Sequence, residues 1–193
     1  ARLSNSESLE STVKLFATAQ YLMAVFATSF LVFLNSEIIN LLFGTGYMES
    51  SKCLALLAYS MFFVFISTIF MAPLLFVGKH TEYLVIVSCG AIINVIFNLI
   101  LIPVYSYNGA AIATIISNCS MMFLAMRQFY LFAQRKTTII YTVKWVLVFL
   151  LINFTILRFF GAGIGPFAAT FMLTLGFYII FNLEYVRKFT GEM

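Results

Sequence analysis

Long uncharged apolar runs alternate along this chain with short segments that hold nearly every charge. A bilayer core of about 30 Å takes roughly 20 helical residues at 1.5 Å each. Six runs approach that length: 15–34, 53–77, 83–103, 109–127, 139–157 and 161–183. The pattern predicts an all-α fold, a polytopic transmembrane helix bundle of about six spans forming one transmembrane domain over 1–193. Arg127 closes the fourth run, and Lys144 sits one turn inside the fifth beside Trp145. The lysine stem can run along the helix and leave its ammonium at the interface; the alternative is a lysine kept inside for function.

Two interruptions have readable chemistry. Between the first two runs, Ser36 is expected to cap a short helix over 36–44 that Gly44 ends. Ile38, Ile39, Leu41, Leu42 and Phe43 make it apolar on more than one face, yet it is too short to cross. It is expected at the outer interface or tucked against neighbouring helices, with Glu37 and Glu49 in water; a partner-binding helix is the alternative. Between the third and fourth runs, Pro103 is expected to end one helix and Asn108 to cap the next. Tyr105 and Tyr107 suit the headgroup layer of an uncharged outer turn.

After that turn Gly109, Ala113 and Ser117 recur every four residues, with Ala110 and Thr114 beside them. Such a smooth ridge lets a second helix approach closely, which drives association in lipid. Asn94 and Asn98 are also four apart on one face of the third span, and Asn118 follows on the fourth. Amides in hydrocarbon need partners, so these three either bond between helices or line a polar cavity.

Composition sharpens the class. The chain is 63% hydrophobic and only 9% charged, too little polar surface for a soluble domain of 193 residues. The charge of +4 does not signal nucleic acid, because the basic residues form no patch with interleaved aromatics; they read as orientation signals. With the N-terminal segment cytoplasmic, Arg2, Lys14, Lys79, Arg127, Arg135, Lys136, Lys144, Arg187 and Lys188 fall inside, and only Lys52 and Arg158 outside. That bias places both ends in the cytoplasm. The opening "ARLSNSESLESTVK" lacks the pattern of a signal peptide and is expected to belong to a fragment of a longer protein.

Catalysis is not expected. The chain has no Asp, and all seven acidic residues are Glu in loops or at ends. His80, the single histidine, stands in "GKHTE" near Glu82 without a nucleophile motif. Cys53, Cys89 and Cys119 lack metal-ligand or redox spacing and read as small buried hydrophobes. No metal and no cofactor is expected. Pro73 can kink the second span, and "GAGIGP" is a turn without the Lys-Ser/Thr of a phosphate loop.

"ARLS", "LLFGTGYMESSKCLALLA" and "INVIFNLILIPVYSYNGAAIATIIS" together resemble the polysaccharide flippases of the multidrug and oligosaccharidyl-lipid exporter superfamily, over residues 1–135. The most specific part is Asn98 to Thr114. The resemblance implies a two-bundle exporter fold of which this chain is the C-terminal bundle, with the N-terminal bundle of the same protein as its partner. It implies alternating access and translocation of an undecaprenyl diphosphate-linked oligosaccharide across the bacterial inner membrane, for O-antigen, capsule or exopolysaccharide synthesis. The alternative within the superfamily is a drug or cation antiporter, whose coupling generally uses intramembrane carboxylates that this chain lacks. Arg127, Lys144 and Arg158, near span ends, are the basic groups closest to membrane depth. Deep cations facing a diphosphate are therefore expected outside this chain.

Overall fold

The computed structural model describes residues 2–133 and 136–190, with side chains described over 16–132, 142–144, 146–176 and at 179. The fold is an all-α bundle of α1 (Arg2–Phe33), α2 (Asn35–Phe43), α3 (Ser50–Phe76), α4 (His80–Ala133), α5 (Lys136–Phe160) and α6 (Ile164–Thr190), with a 3-10 turn at Thr45–Tyr47. No strand occurs among the described residues. Among the described residues, four helices are long and apolar enough to cross a membrane, at Phe16–Phe33, Ser50–Phe76, His80–Phe132 and Thr142–Phe160. A shorter apolar stretch, Ile164–Gly176, opens α6.

α4 is a hairpin. Ser106 alone leaves helical geometry, at φ 52° and ψ −133°, and the arms 80–105 and 107–133 fold back on one another. The Ser117 hydroxyl donates to the Gly90 carbonyl across the hairpin at 2.8 Å. Each arm, about 39 Å at 1.5 Å per residue, is longer than a bilayer core. The turn is tighter than the sequence suggested. Pro103 does not itself end the helix: helical geometry continues to Tyr105 and breaks at Ser106. Asn108 is no cap either: helical geometry resumes at Tyr107, and the Asn108 side-chain oxygen is buried with no partner among the described residues.

Ser106 holds a backbone conformation that L side chains rarely adopt. Ser106→Gly is expected to stabilise the protein by about 1 kcal/mol through relief of that strain. A higher unfolding midpoint in detergent checks it, and an unchanged or lower midpoint refutes it.

α3 is the central helix, packed on α1 at one side and on α4 at the other. One face of the second arm of α4, through Met122, Ala125 and Phe129, joins the main core with Phe62, Ile66 and Phe70 of α3. Phe70 and Phe129 meet edge to face at 5.4 Å. α5 reaches α3 through Phe62 and Phe149, stacked at 4.3 Å. α6 lies along α1 and α5. Because lipid tails are as apolar as these side chains, dispersion and hydrogen bonds hold the helices together, rather than escape from water.

The short helix also differs from expectation. α2 starts at Asn35, and Ser36 does not cap it: its hydroxyl donates to Asn35 Oδ1 at 3.0 Å. The chain from α1 does the capping itself, with the Leu34 N–H on Phe30 O and the Ile38 N–H on Leu34 O. Gly44, at φ 82°, ends the helix as its conformation allows.

Candidate functional site

Asn94 and Asn98 lie on the first arm of α4, which has cover on one side only. Ile86 and Gly90 on that arm are buried, whereas Val95 and Leu99 are exposed. The two asparagines fall on the flank between these faces, both half-buried. The Asn98 amide nitrogen donates to Asn94 Oδ1 at 2.8 Å. Asn98 Oδ1 is buried with no hydrogen-bond partner among the described residues. Beside it runs an open groove of about 290 Å³, lined by Val95, Asn98, Leu99, Ile102 and Pro103.

Asn118 is placed elsewhere. Its amide nitrogen donates to the Ser60 carbonyl at 3.4 Å, toward α3, so the structure brings Asn94 and Asn98 together and leaves Asn118 apart. Gly109, Ala113 and Ser117 form the surface on which the first arm rests. A side chain on Gly109 would collide with the Leu101 carbonyl, and one on Gly90 with the Met121 side chain. Ala113 is fully buried and Ser117 nearly so. Ala110 is half-buried beside them.

Among the described residues, no basic side chain lines the groove beside the asparagine pair. The Lys79 ammonium bonds Glu82 at 3.0 Å and lies 5.4 Å over the Phe132 ring, at the turn joining α3 to α4. Glu82 is therefore drawn to Lys79, and His80 stands exposed beside them. Arg127, Lys144 and Arg158 are exposed. Arg135 lies outside the described residues, as do the side chains of Lys136, Arg187 and Lys188. The three cysteines are free thiols, each half-buried.

A second group of polar residues escapes sequence reasoning. Thr28, Ser29, Asn153 and Thr170 are all fully buried. The Thr28 hydroxyl reaches the Ala58 carbonyl at 3.3 Å. One turn along α3, Phe62 stacks on Phe149, and Asn153 is one turn beyond Phe149, at the depth of Thr28 and Ser29. On α6, Phe167 meets both Phe26 and Phe30 at 5.8 Å, which brings Thr170 to the same depth. The four residues thus lie at a similar depth on α1, α5 and α6, a buried polar layer through the bundle. Ser29 Oγ and Asn153 Oδ1 have no hydrogen-bond partner among the described residues. The sequence hid this layer because a hydroxyl can bond its own helix and pass as apolar. Thr170 does so, donating to Pro166 O at 2.9 Å. The usable signal was Asn153, an amide inside a span.

Comparison with known proteins gives the class. Over 177 residues, 84% of the chain, it is 26% identical to an uncharacterized membrane protein of Methanocaldococcus jannaschii, matching 34% of that protein. It is a multi-pass membrane protein. Over 104 residues, 54% of the chain, it is 30% identical to the capsular polysaccharide biosynthesis protein CapF of Staphylococcus aureus, matching 25% of that protein. This membrane protein thus spans about a third or less of the length of these curated relatives. No family model matches it, and no solved structure does.

Proposed function

We propose that this chain is part of a transporter that moves a lipid-linked oligosaccharide across the bacterial inner membrane for surface polysaccharide synthesis, and that it is not an enzyme. The observation that carries the reading is the asparagine pair on the flank of α4, with the buried Asn98 Oδ1 unpaired beside an open groove. A lipid-facing amide would be left unpaired in hydrocarbon, at a cost of several kcal/mol. A flank turned toward a water-lined path for sugars brings the half-buried asparagine pair next to water, with Asn98 Oδ1 just beneath the surface. The likeness to the S. aureus capsular polysaccharide biosynthesis protein supports the same substrate class.

Chemically, the groove offers one amide and four apolar side chains. Asn98 Nδ2 keeps a second N–H, beyond the one given to Asn94, that can donate to a sugar hydroxyl, while Val95, Leu99, Ile102 and Pro103 make a wall compatible with a polyprenyl chain. No cationic side chain among the described residues lines it, and in this reading the diphosphate is neutralised elsewhere in the full-length protein. Rocking of one bundle against the other would alternate access to the flank, and the close-packed α4 hairpin would move as one piece.

Asn94→Leu with Asn98→Leu in the full-length protein is expected to reduce surface polysaccharide far more than it reduces the protein in the membrane. Equal losses would make the pair a packing element, and no loss of either would turn that face to lipid; each result overturns the reading.

A further inference from the structure

The end of the bundle that carries α2 is apolar in an ordered way. Two contacts and the course of the chain place its parts together. The Gly163 N–H donates to the Phe33 carbonyl at 2.7 Å, bringing the α5–α6 turn to the end of α1. Cys53 Sγ lies 3.8 Å from the Tyr107 carbonyl, bringing the α4 turn to the start of α3. α2 and the 3-10 turn bridge α1 to α3. Around this end Phe43, Tyr47, Tyr105, Tyr107, Phe159 and Phe160 are all exposed. Tyrosines collected at the ends of apolar helices, here Tyr47, Tyr105 and Tyr107, mark the headgroup level of a bilayer.

α2 itself has four distinct sides. Ile39 is buried and faces the bundle. Ser36, Glu37 and Asn40 share one sector, with Glu37 and Asn40 exposed. Opposite that polar sector stand Ile38 and Leu42, and Leu42 is 66% exposed. Leu41, 84% exposed, points away from the bundle. In water this arrangement would leave two leucines uncovered beside a carboxylate. In a bilayer interface every side has a matching environment: headgroups and water for Ser36, Glu37 and Asn40, acyl chains for Ile38 and Leu42, and neighbouring lipid for Leu41.

We infer that α2 is a membrane-surface helix, lying in the plane of the bilayer at its headgroup–acyl boundary with Leu41 and Leu42 in contact with lipid. The aromatic ring fixes its depth, since Phe43 and Tyr47, whose rings lie 6.0 Å apart, continue α2 into that ring. The occupant of the exposed leucine surface is therefore lipid, and the helix anchors this end of the bundle against tilt and vertical slip.

The test places single nitroxide labels on the full-length protein in phosphatidylcholine–phosphatidylglycerol vesicles, with Cys53→Ala, Cys89→Ala, Cys119→Ala and any remaining cysteine replaced. Labels at Leu41→Cys and Leu42→Cys are expected to collide with oxygen several-fold more than with a water-soluble nickel chelate. Labels at Glu37→Cys and Asn40→Cys are expected to show the reverse preference. Leucine-site labels shielded from both reagents would mean that a protein partner covers the surface. Preference for the chelate there would mean that α2 stands in water. Either overturns the inference. With the native cysteines kept, Leu42→Trp in a background freed of other tryptophans, including Trp145→Phe, gives an independent reading. Its fluorescence is expected to be quenched by brominated lipid more than by iodide, and the opposite order overturns the inference equally.

Discussion

Gly109→Val is expected to leave little folded protein in the membrane, because the α4 hairpin has no room for a side chain there. The first atom of that side chain would meet the Leu101 carbonyl, and the obstacle is backbone on both sides. Neither arm can yield without opening the turn at Ser106 or breaking the bond from Ser117 to Gly90 O. Overpacking of this kind costs about 3 kcal/mol or more. Two neighbouring substitutions separate the cause from glycine loss in general. Gly90→Ala meets only the Met121 side chain, a flexible thioether that can move aside, so a smaller loss is expected. Gly46→Ala meets nothing within 4 Å and is expected to be neutral. Folded yield after detergent extraction, with the unfolding midpoint of what survives, ranks the three. If Gly109→Val accumulates and melts like the parent, the arms do not touch at Gly109.

Phe62→Ala is expected to be the most damaging truncation in the core. Phe62 is fully buried and ties its own helix to α5: it lies edge-on to its neighbour Phe63 at 5.9 Å and stacked on Phe149 at 4.3 Å. Removing a ring from such a site costs about 3–5 kcal/mol, through lost contacts and the cavity left behind. Since that stack is where α5 meets α3, the loss should fall on the attachment of α5. Phe149→Ala should then be nearly as harmful. The double variant should be less harmful than the sum of the two, by a coupling of about 0.5–1.5 kcal/mol for the ring pair. Strict additivity in a double-mutant cycle of unfolding free energies would show that the rings do not rely on one another.

The helical bundle was legible because its hydrophobic runs are long, and length alone separates a membrane helix from a strand or a core segment. What hydropathy could not place is the pivot of α4. Asn108-Gly109 is the stronger turn signal in composition, yet the chain breaks at Ser106, where no residue type advertises a left-handed conformation. Gly109 is needed instead for the closeness of the arms. The Asn94–Asn98 pair was readable as one face of a helix, and its bond at 2.8 Å follows from the four-residue spacing. The partner of Asn118 on α3 was not readable, because interhelical register is absent from any one helix. The buried layer at Thr28, Ser29, Asn153 and Thr170 was missed for a related reason. Three of its four members carry hydroxyls that lower local hydropathy only slightly, and their common depth emerges once α1, α5 and α6 are side by side.

The bond from the Gly163 N–H to the Phe33 carbonyl also ties the shape of the molecule to the timing of its synthesis. Phe33 emerges from the ribosome well over a hundred residues before Gly163, at a junction where α1 gives way to α2 and its own N–H donors run short. The α4 hairpin, by contrast, joins residues close in sequence and can close as soon as both arms have left the translocon, since short loops close cheaply. The chain order lets the contacts of α1, α3 and α4 form before α5 and α6 are made, and the bond to Phe33 is one that a chain ending before the α5–α6 turn would lack.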